Sequence, residues 1–234
     1  WVVARLIRGW SPEQISGRMR LVFPENPKMR ISPETIYAFI YSEEYKHRKF
    51  WEYLPWKRKK RFHKHGRKVH RGRIPDRVSI HSRPVVVEGR EQFGHWEGDT
   101  VEGKGHKNGI HTEVERKSRF LAACKVEKID SLCALEAQKK IFSSLPIHAR
   151  KTVTLDNGRE FHLHQELKML GINTFFCDPY SSWQRGTNEY HNGLVRRYLP
   201  KKTDFTNLTQ EELNDIVSEI NSRPRKCLGF YTPK

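Results

Sequence analysis

The sequence predicts two parts, a small all-α domain followed by a mixed α/β domain built on a five-stranded sheet. The first observation is the uneven charge: positions 1–90 contain 22 Lys and Arg against 8 Asp and Glu, whereas positions 91–234 contain 22 against 19. The second is the change of pattern after Phe93, where short apolar or alternating segments typical of strands are interspersed with segments of helical period. We therefore expect a basic N-terminal part that binds a polyanion and a separate α/β part.

The first 41 residues predict three short helices. Ser11-Pro12 and Ser32-Pro33 each supply a capping hydroxyl and a proline at the first helical position. Capped short helices in basic surroundings suit a helix-turn-helix over residues 1–45, whose last helix would enter a DNA major groove. Three side chains of this region are expected to contact DNA: Arg30 at phosphate, and Thr35 and Tyr37 near base edges. A small helical bundle with no role in DNA binding is the alternative.

Residues 46–73 hold 13 Lys and Arg and a single acid, Glu52. Because so much charge cannot be buried in a core, residues 46–90 are interpreted as a basic linker that follows DNA phosphates. The phosphate contacts are assigned to five consecutive cations: Lys57, Arg58, Lys59, Lys60 and Arg61. A solvated tether without DNA contacts is the alternative. The last part of the linker, residues 73–88, is expected to be extended.

The α/β domain, residues 91–234, is predicted to open with three antiparallel strands. Asn108-Gly109 is the strongest hairpin turn in the chain and separates the first two strands. Helices and strands then alternate. The expected strands are 96–101, 110–114, 120–126, 153–155 and 174–176, and the expected helices are 131–144, about 159–170, 183–199 and 209–221. This order is that of ribonuclease-H-like nuclease and integrase domains.

The predicted helix 183–199 has an unusual polar face. At about 100° per residue, one face carries four polar side chains with two glycines beside it: Arg185, Glu189, Asn192 and Arg196, with Gly186 and Gly193. The opposite face is apolar: Tyr190, Leu194, Val195 and Tyr198. Two glycines inside a helix suggest that something bulky approaches the backbone. We interpret the polar face as a site for a DNA phosphodiester near a catalytic acid, with an ordinary solvated face as the alternative.

Three acids are expected to converge at one edge of the sheet. Asp99 lies in the first strand, Asp156 ends the adjacent fourth strand, and Glu189 projects from the helix after the fifth. Converging carboxylates repel each other unless a cation or protons neutralise them, and their hard oxygens suit Mg²⁺ better than zinc. Two such ions would serve an in-line phosphoryl displacement. The pattern alone does not choose between Asp99 and Glu97, and it leaves Asp178 open.

The remaining composition excludes other classes. The four cysteines form no C-x-x-C pair, which favours reduced structural thiols over a disulfide framework or a zinc site. No apolar run approaches 18 residues and no signal peptide is visible, so a soluble intracellular protein is expected. The chain opens at Trp1 in a predicted helix without Met, which suggests that an N-terminal piece is missing.

Five motifs closely resemble the DDE transposases of the IS-thirty (IS30) family of bacterial insertion sequences. They are Gly94-His95-Trp96-Glu97-Gly98-Asp99, Asp156-Asn157-Gly158-Arg159-Glu160, the long stretch Phe176 to Glu189, and the N-terminal Trp10 to Ile15 and Ser32 to Tyr37. The resemblance covers nearly the whole chain. It implies a catalytic and metal-binding triad of Asp99, Asp156 and Glu189, with Arg196 as the basic residue typical of that helix. It also implies a further DNA-binding segment before Trp1.

The resemblance implies an enzyme that cuts DNA at terminal inverted repeats and joins the freed 3′-hydroxyl to target DNA. It would use two Mg²⁺ ions, which Mn²⁺ is expected to replace, and would act as a homodimer or higher oligomer on double-stranded DNA. The expected location is the bacterial cytoplasm, at the nucleoid and not at a membrane. The alternatives are a DNA-binding regulator without catalysis and, from the fold alone, a ribonuclease H.

Overall fold

The computed structural model describes residues 1–54 and 74–233, with the side chain of Lys46 left out. The chain divides into two compact units. One contains the described residues of 1–68 together with those of 222–234, and the other contains those of 69–221. These boundaries differ from the predicted ones. Residues 74–90, expected in the linker, belong with the α/β unit, and the last residues belong with the helical unit.

The helical unit contains three α-helices where the sequence predicts them: α1 (Val2–Ile7), α2 (Pro12–Val22) and α3 (Pro33–Tyr41). Helix α2 begins with a capping box, in which Ser11 and Gln14 satisfy each other's backbone N–H groups. The Ser32 side chain accepts from the Thr35 N–H at the start of α3. Their shared core is apolar: Leu6, Trp10, Ile15, Met19, Ile36, Ile40, Phe50 and Leu54. The assignment of this unit as a helix-turn-helix stays a prediction.

The chain returns to the helical unit after residue 221. The Gln14 side-chain amide donates to the Pro224 carbonyl at 2.8 Å. The Phe230 ring lies directly against the Cα of Gly17, where any Cβ would collide with it. Glycine is unfavourable inside a helix, so Gly17 in α2 is explained by this close approach.

The α/β unit is built on one mixed sheet with the strand order β3-β2-β1-β4-β5. Strands β1 (His95–Glu102), β2 (Gly109–Glu115) and β3 (Leu121–Val126) are antiparallel neighbours. Strands β4 (Thr152–Leu155) and β5 (Asn173–Phe176) extend the sheet in parallel from β1. Together with the helices described next, this is the predicted ribonuclease-H-like arrangement, and the prediction of an α/β fold with a five-stranded mixed sheet is confirmed.

Helices cover both faces of the sheet. A short α4 (Val86–Gly89) precedes β1, and α5 (Ser131–Ser143) packs over β2 and β3 with a core that includes Trp96, Phe142 and Phe176. Helices α6 (Gly186–Tyr198) and α7 (Gln210–Asn221) bury a second cluster that includes Ile110, Val195 and Leu213. Apolar layers on both faces hold the sheet between helices, and its strand ends remain accessible for a site.

Three predicted elements differ in the structure. The helix expected over 159–170 consists of two 3₁₀ segments, Arg159–Phe161 and His164–Leu170, which end at Gly171 with a φ of 75°. The helix expected from residue 183 begins as a 3₁₀ turn, Ser182–Arg185, and becomes α-helical at Gly186. The segment 73–88 was expected to be extended, but it contains the 3₁₀ turn Ile80–Ser82, capped by Ser79, and the start of α4.

The buried face of α6 also differs from the predicted apolar face. Leu194 and Val195 are buried as expected, whereas Tyr190 and Tyr198 are exposed. Polar side chains complete the buried face instead: Thr187, Asn188 and His191. The hydrophobic period misplaced the buried face because it counts only apolar side chains. Polar side chains can also be buried where they have hydrogen-bond partners.

Candidate active site

The sheet brings Asp99 and Asp156 to the same edge. Strands β1 and β4 are parallel neighbours in which Glu97 pairs with Thr154, and each aspartate follows this pair by two residues. The side chain of Asp99 is 27% exposed and that of Asp156 is 30% exposed. Two carboxylates therefore lie side by side, partly open to solvent, where one of the parallel strands ends.

The Arg185 guanidinium lies between these two aspartates. Its Nη1 is 3.5 Å from Asp99 Oδ1 and its Nη2 is 3.4 Å from Asp156 Oδ2. A shorter bond of 2.7 Å from Nη1 to the Gly98 carbonyl anchors it to the backbone of β1. Burial works to lower the pKa of Arg185, but the charges of Asp99 and Asp156 outweigh it and raise that pKa. Arg185 is thus a nearly buried, fully charged counter-ion of the pair.

Helix α6 also reaches Asp99 through Asn192. The Asn192 amide donates to Asp99 Oδ2 at 2.9 Å and accepts from the Thr112 hydroxyl at 2.8 Å. The Thr100 N–H donates to Asp99 Oδ1 at 2.9 Å. Burial raises the pKa of Asp99, Arg185 opposes this, and Asp156 adds to it, with a net rise. The carboxylate of Asp99 is therefore held in one orientation and would gain from a further positive charge.

Asp156 lies at the start of a turn. Its Oδ1 accepts from the Gly158 N–H at 2.7 Å, and this bond folds the Asp156-Asn157-Gly158 segment back after β4. Glu160 follows in the same turn. Burial raises the pKa of Glu160, its own backbone N–H opposes this, and the charges of Asp156, Asp99 and Glu102 raise the pKa further, with a net rise. Glu160 is therefore close enough to Asp156 and Asp99 for their charges to act on it. Sequence reasoning did not single it out, although its position four residues after Asp156 was a usable signal.

Glu189 lies in the first turn of α6, and its side chain is exposed. It precedes Asn192, which contacts Asp99, by three residues and therefore lies on the same side of the helix. Within residues 1–54 and 74–233, no three His, Cys, Asp or Glu side chains lie close enough together to form a metal-binding group. The structure thus brings Asp99 and Asp156 together, with Glu189 on the adjoining helix.

The two acids left open by the sequence pattern have other partners. Glu97 is fully buried and forms an ion pair with Arg116. Asp178 accepts from Gln184 and His81, and these bonds lower its pKa. Neither carboxylate shares a hydrogen bond or an ion pair with Asp99 or Asp156 among the contacts of the described residues.

The donor set of the site fits a divalent cation. Asp99 and Asp156 offer oxygen ligands, the type preferred by hard divalent ions, and both are partly accessible. Burial and the charge of Asp156 raise the pKa of Asp99 against the opposing charge of Arg185. Residues that would hold such an ion are Asp99 and Asp156, with Glu189 on the adjoining helix α6.

Several side chains predicted to contact DNA have intramolecular partners. Arg196 donates to the Glu102 carbonyl at 2.6 Å and to the Pro200 carbonyl at 3.5 Å. Arg30 donates to the Pro24 carbonyl at 2.9 Å, and Thr35 shares a 2.9 Å bond with Ser32.

The other predicted DNA contacts fall into three groups. Tyr37 is half-buried against the core of the helical unit. Arg185 and Asn192 lie inside the site described above. The cations from Lys57 to Arg61 lie outside the described residues. DNA contact by any of these side chains stays a prediction.

None of the helices in the described part of the chain is long and apolar enough to span a membrane.

No protein-family model matches the chain. The three relatives compared here are all named as transposases of insertion sequence elements. The chain is 42% identical over 238 residues to the transposase for insertion sequence element IS1086 of Cupriavidus metallidurans, covering all of this chain and 70% of that protein. It is 42% identical over 242 residues to transposase InsI for insertion sequence element IS30A of Escherichia coli, covering all of this chain and 62% of that protein. It is 41% identical over 238 residues to the transposase for IS4351 of Bacteroides fragilis, covering 99% of this chain and 70% of that protein.

Among solved structures, the chain is similar to the HTLV-2 integrase catalytic core domain in complex with magnesium. That likeness has a TM-score of 0.45 and 20% identity, and covers 61% of this chain and 94% of the other. The chain thus spans 62–70% of the length of the three relatives compared above.

Proposed function

The chain belongs to the IS30 family of insertion sequence transposases, and from this premise we propose that it carries the catalytic centre of such an enzyme. The reaction is the cutting of DNA at terminal inverted repeats, followed by joining of the freed end to target DNA. The observation that carries the proposal is the pair Asp99 and Asp156, side by side on neighbouring parallel strands with α6 against them. The triad is completed by Glu189.

The cofactor is Mg²⁺, in two ions, and Mn²⁺ can replace it. Bound there, the metal supplies an activated attacking oxygen and charge stabilisation for the leaving oxygen of an in-line phosphoryl displacement. Asp99, Asp156 and Glu189 hold it. The Asn192 amide fixes which oxygen of Asp99 faces the site, and Arg185 limits the repulsion between the two aspartates while the site is being filled.

The two chemical steps use different nucleophiles. In the first, water attacks a phosphorus atom at the element's end, the bond to the 3′-oxygen breaks, and a 3′-hydroxyl is released. In the second, this hydroxyl attacks a phosphorus atom of the target, a new phosphodiester forms, and a target 3′-oxygen leaves. Each step exchanges one P–O bond for another, so the same carboxylates serve both.

DNA recognition is assigned to the N-terminal part. The helical unit acts as a helix-turn-helix, in which Arg30, Thr35 and Tyr37 contact DNA, and the basic linker follows phosphates. Arg185, Asn192 and Arg196 line the strand path beside the active site. The active form is a homodimer or higher oligomer on double-stranded DNA, located at the nucleoid of the bacterial cytoplasm. Support comes from the positive charge of residues 1–90 and from the family.

The test is cleavage of a labelled terminal repeat with Mg²⁺ or Mn²⁺. We expect Asp99→Asn, Asp156→Asn or Glu189→Gln each to abolish cleavage while DNA binding stays within a few-fold of wild type. Each change removes a ligand charge with little change of volume, so the fold should survive.

Asp178→Asn is the matched control for these variants. It neutralises an acid that contacts His81 and Gln184 instead of the aspartate pair, and should therefore cleave. Robust cleavage by any triad variant would refute the assignment at that position. Specific binding without any cleavage by the wild-type protein would favour a DNA-binding regulator.

A further inference from the structure

A connected series of buried polar side chains lies next to the proposed catalytic residues in the sequence and joins the elements that carry them. It connects β4 to α6 through the following side chains in order: Thr154, Arg83, Glu88, Arg116, Glu97 and Asn188. All of them except Glu88 are buried, and Glu88 is where the chain of contacts reaches the surface. We call this set the anchor network.

The first half of the anchor network holds β4. Arg83 Nη1 donates to the Thr154 hydroxyl at 2.8 Å, and Arg83 also forms an ion pair with Glu88. Burial works to raise the pKa of Glu88, but the bond to Arg83 and the charges of Arg83 and Arg116 outweigh it and lower that pKa. Glu88 is therefore ionised at neutral pH and joins two arginines.

The second half holds β1 and the start of α6. Arg116 forms ion pairs with Glu88, at 3.6 Å, and with Glu97, and its Nε donates to the Val87 carbonyl at 3.3 Å. Glu97 Oε2 accepts from the Asn188 N–H at 3.0 Å. The Asn188 amide in turn donates to the Glu97 carbonyl at 2.7 Å. The first turn of α6 is thus pinned to β1 by a side chain and a backbone carbonyl of the same residue.

Three members of the anchor network, Glu97, Thr154 and Asn188, are close sequence neighbours of the proposed catalytic acids. Glu97 precedes Asp99 by two residues, Thr154 precedes Asp156 by two, and Asn188 precedes Glu189 by one. Residues two apart in a strand lie on the same face, about 7 Å from each other. A shift at any anchor therefore moves the neighbouring carboxylate with it.

Buried ion pairs are not needed for stability, because apolar side chains of similar volume often serve as well or better. Their use here gives directional bonds instead, at the point where β1, β4 and α6 meet. Directional polar contacts between buried side chains favour one arrangement of the elements they join.

We propose that the anchor network is a positioning device that fixes β1, β4 and α6 so that Asp99, Asp156 and Glu189 converge with the spacing that metal binding requires. This inference rests on the function proposed above. Mg²⁺ demands near-ideal octahedral geometry, so small displacements of the three elements reduce affinity for the ion. Arg116 and Glu97, buried and paired with each other, are positioning residues that act through the elements they join.

The first experiment compares Asn188→Ala with Asn221→Ala. Asn221 is the matched control: it is also buried, and its side chain donates to the Leu121 carbonyl at 2.8 Å and accepts from its N–H at 2.9 Å. It lies on α7, away from the site. Mn²⁺ affinity is measured by titration calorimetry without DNA, together with the melting temperature. We expect Asn188→Ala to weaken Mn²⁺ binding about tenfold, and Asn221→Ala to leave it within twofold even where it lowers the melting temperature more.

The second experiment compares Thr154→Val with Thr174→Val. Both threonines are buried in adjacent parallel strands, but the Thr174 hydroxyl bonds the His164 ring at 2.6 Å instead of Arg83. Valine keeps the branched shape and removes the hydroxyl. We expect Mn²⁺ affinity to fall a few-fold in Thr154→Val and to stay unchanged in Thr174→Val.

Amide hydrogen exchange at the start of α6 separates this inference from the proposed function. We expect faster exchange at residues 186–192 in Asn188→Ala, but not in Asn221→Ala, with no metal or DNA present. Unchanged exchange, or Mn²⁺ affinity that falls equally in variants and controls, overturns the positioning role. A wild-type protein that neither binds Mn²⁺ nor cleaves DNA refutes the proposed function, and the exchange result then decides the positioning role alone.

Discussion

At the scale of single residues, surroundings decide what an acid does. Glu97 and Asp99 lie two apart on the same face of β1, yet Glu97 is fully buried against Arg116 while Asp99 is partly open beside Arg185. A buried carboxylate with a dedicated partner serves structure. A partly accessible one with a raised pKa and a second carboxylate nearby would suit a cation. Two chemically similar side chains on one face of a strand thus have different surroundings.

Cys177 gives a prediction at this scale. Burial raises the pKa of its thiol from an ordinary value of 9.0 to about 11. As the pH rises through this window the unfolded chain loses the thiol proton first, so the thiol's contribution to stability falls. Between about pH 8 and pH 10 we expect wild type to lose about 1 kcal/mol of unfolding free energy relative to Cys177→Ala.

Chemical denaturation at the two pH values measures this difference. Cys227→Ala is the control, because Cys227 is exposed. An equal pH dependence for Cys177→Ala and Cys227→Ala would show that Cys177 is not the group responsible.

Arg196 gives a second prediction. It lies two turns beyond Glu189, about 10 Å along the helix axis, so it is expected to hold the DNA strand that leaves the active site. Arg196→Ala should raise the DNA concentration for half-maximal cleavage and change the rate at saturation much less. Arg196→Lys should recover part of the loss, because a point charge replaces most of a phosphate contact.

Kinetics at saturating DNA decide the role of Arg196. A fall in rate as deep as that of Glu189→Gln would place Arg196 among the catalytic groups. Because Arg196 also donates to the Glu102 carbonyl, melting temperatures should accompany the kinetics.

At the scale of elements, α6 packs one side into the core and leaves open space beside two glycines on its other side. Its buried side holds Leu194 and Val195, whereas Gly186 and Gly193 have open space where a Cβ would stand. Open space means that no neighbouring part of the described chain requires a glycine there. A phosphodiester passing close to the helix backbone would require one.

Gly193→Ala tests this explanation. An alanine in the helix interior should raise the unfolding free energy by about 0.5–1 kcal/mol, since nothing obstructs it. The same methyl group should weaken DNA binding several-fold if DNA approaches the backbone at this position. Thermal unfolding and DNA titration measure the two effects separately. A variant that is more stable and binds DNA as well as wild type would show that Gly193 has no role in DNA access.

How much of each element could be predicted depends on where its signal lies. The strands were predictable because alternation is local. The turn between β1 and β2 was misplaced: the connection spans residues 103–108, with positive φ at Gly105 and His106, and Gly109 is already the first residue of β2. The 3₁₀ form of 159–170 was not, since helical period does not distinguish the two helix types. For the site, the strand order was enough to expect Asp99 and Asp156 side by side, and the convergence of Glu189 with them stays a prediction.

The support behind the site was not predictable from local pattern. Arg185 is nearly buried between two aspartates, and the helical period of residues 183–199 gave no sign of these partners. Arg83, Glu88 and Arg116 come from separate segments that only the folded chain brings together. A sequence pattern predicts which face of a helix or strand a residue occupies. It does not predict a hydrogen-bond or ion-pair partner from another segment of the chain.

At the scale of the whole molecule, the excess of positive charge and the acids of the candidate site occupy different parts of the sequence. The excess of Lys and Arg lies in residues 1–90, whereas Asp99, Asp156 and Glu189 lie beyond them. A basic region of this kind attracts polyanions such as DNA.

Replacing Lys57 to Arg61 by alanine tests the role of the linker. Binding to all DNA sequences should weaken alike, because phosphate contacts carry no sequence information. Each lost contact should reduce the slope of log affinity against log salt by about 0.9 on duplex DNA. Binding measured over a range of salt concentrations gives the slope. An unchanged slope would identify this run as a solvated tether.

The return of residues 222–233 to the N-terminal helices makes the α/β unit an insertion within the helical one. Both of its ends, near residues 69 and 221, lead back into the same unit. Severing the peptide chain once between them would leave two fragments, and each would still contain part of the helical unit. The Gln14–Pro224 bond and the packing of Phe230 on Gly17 would continue to hold those parts together. The α/β unit is therefore one continuous segment joined at both ends to the helical unit, and the chain must be cut at both ends to separate the two units.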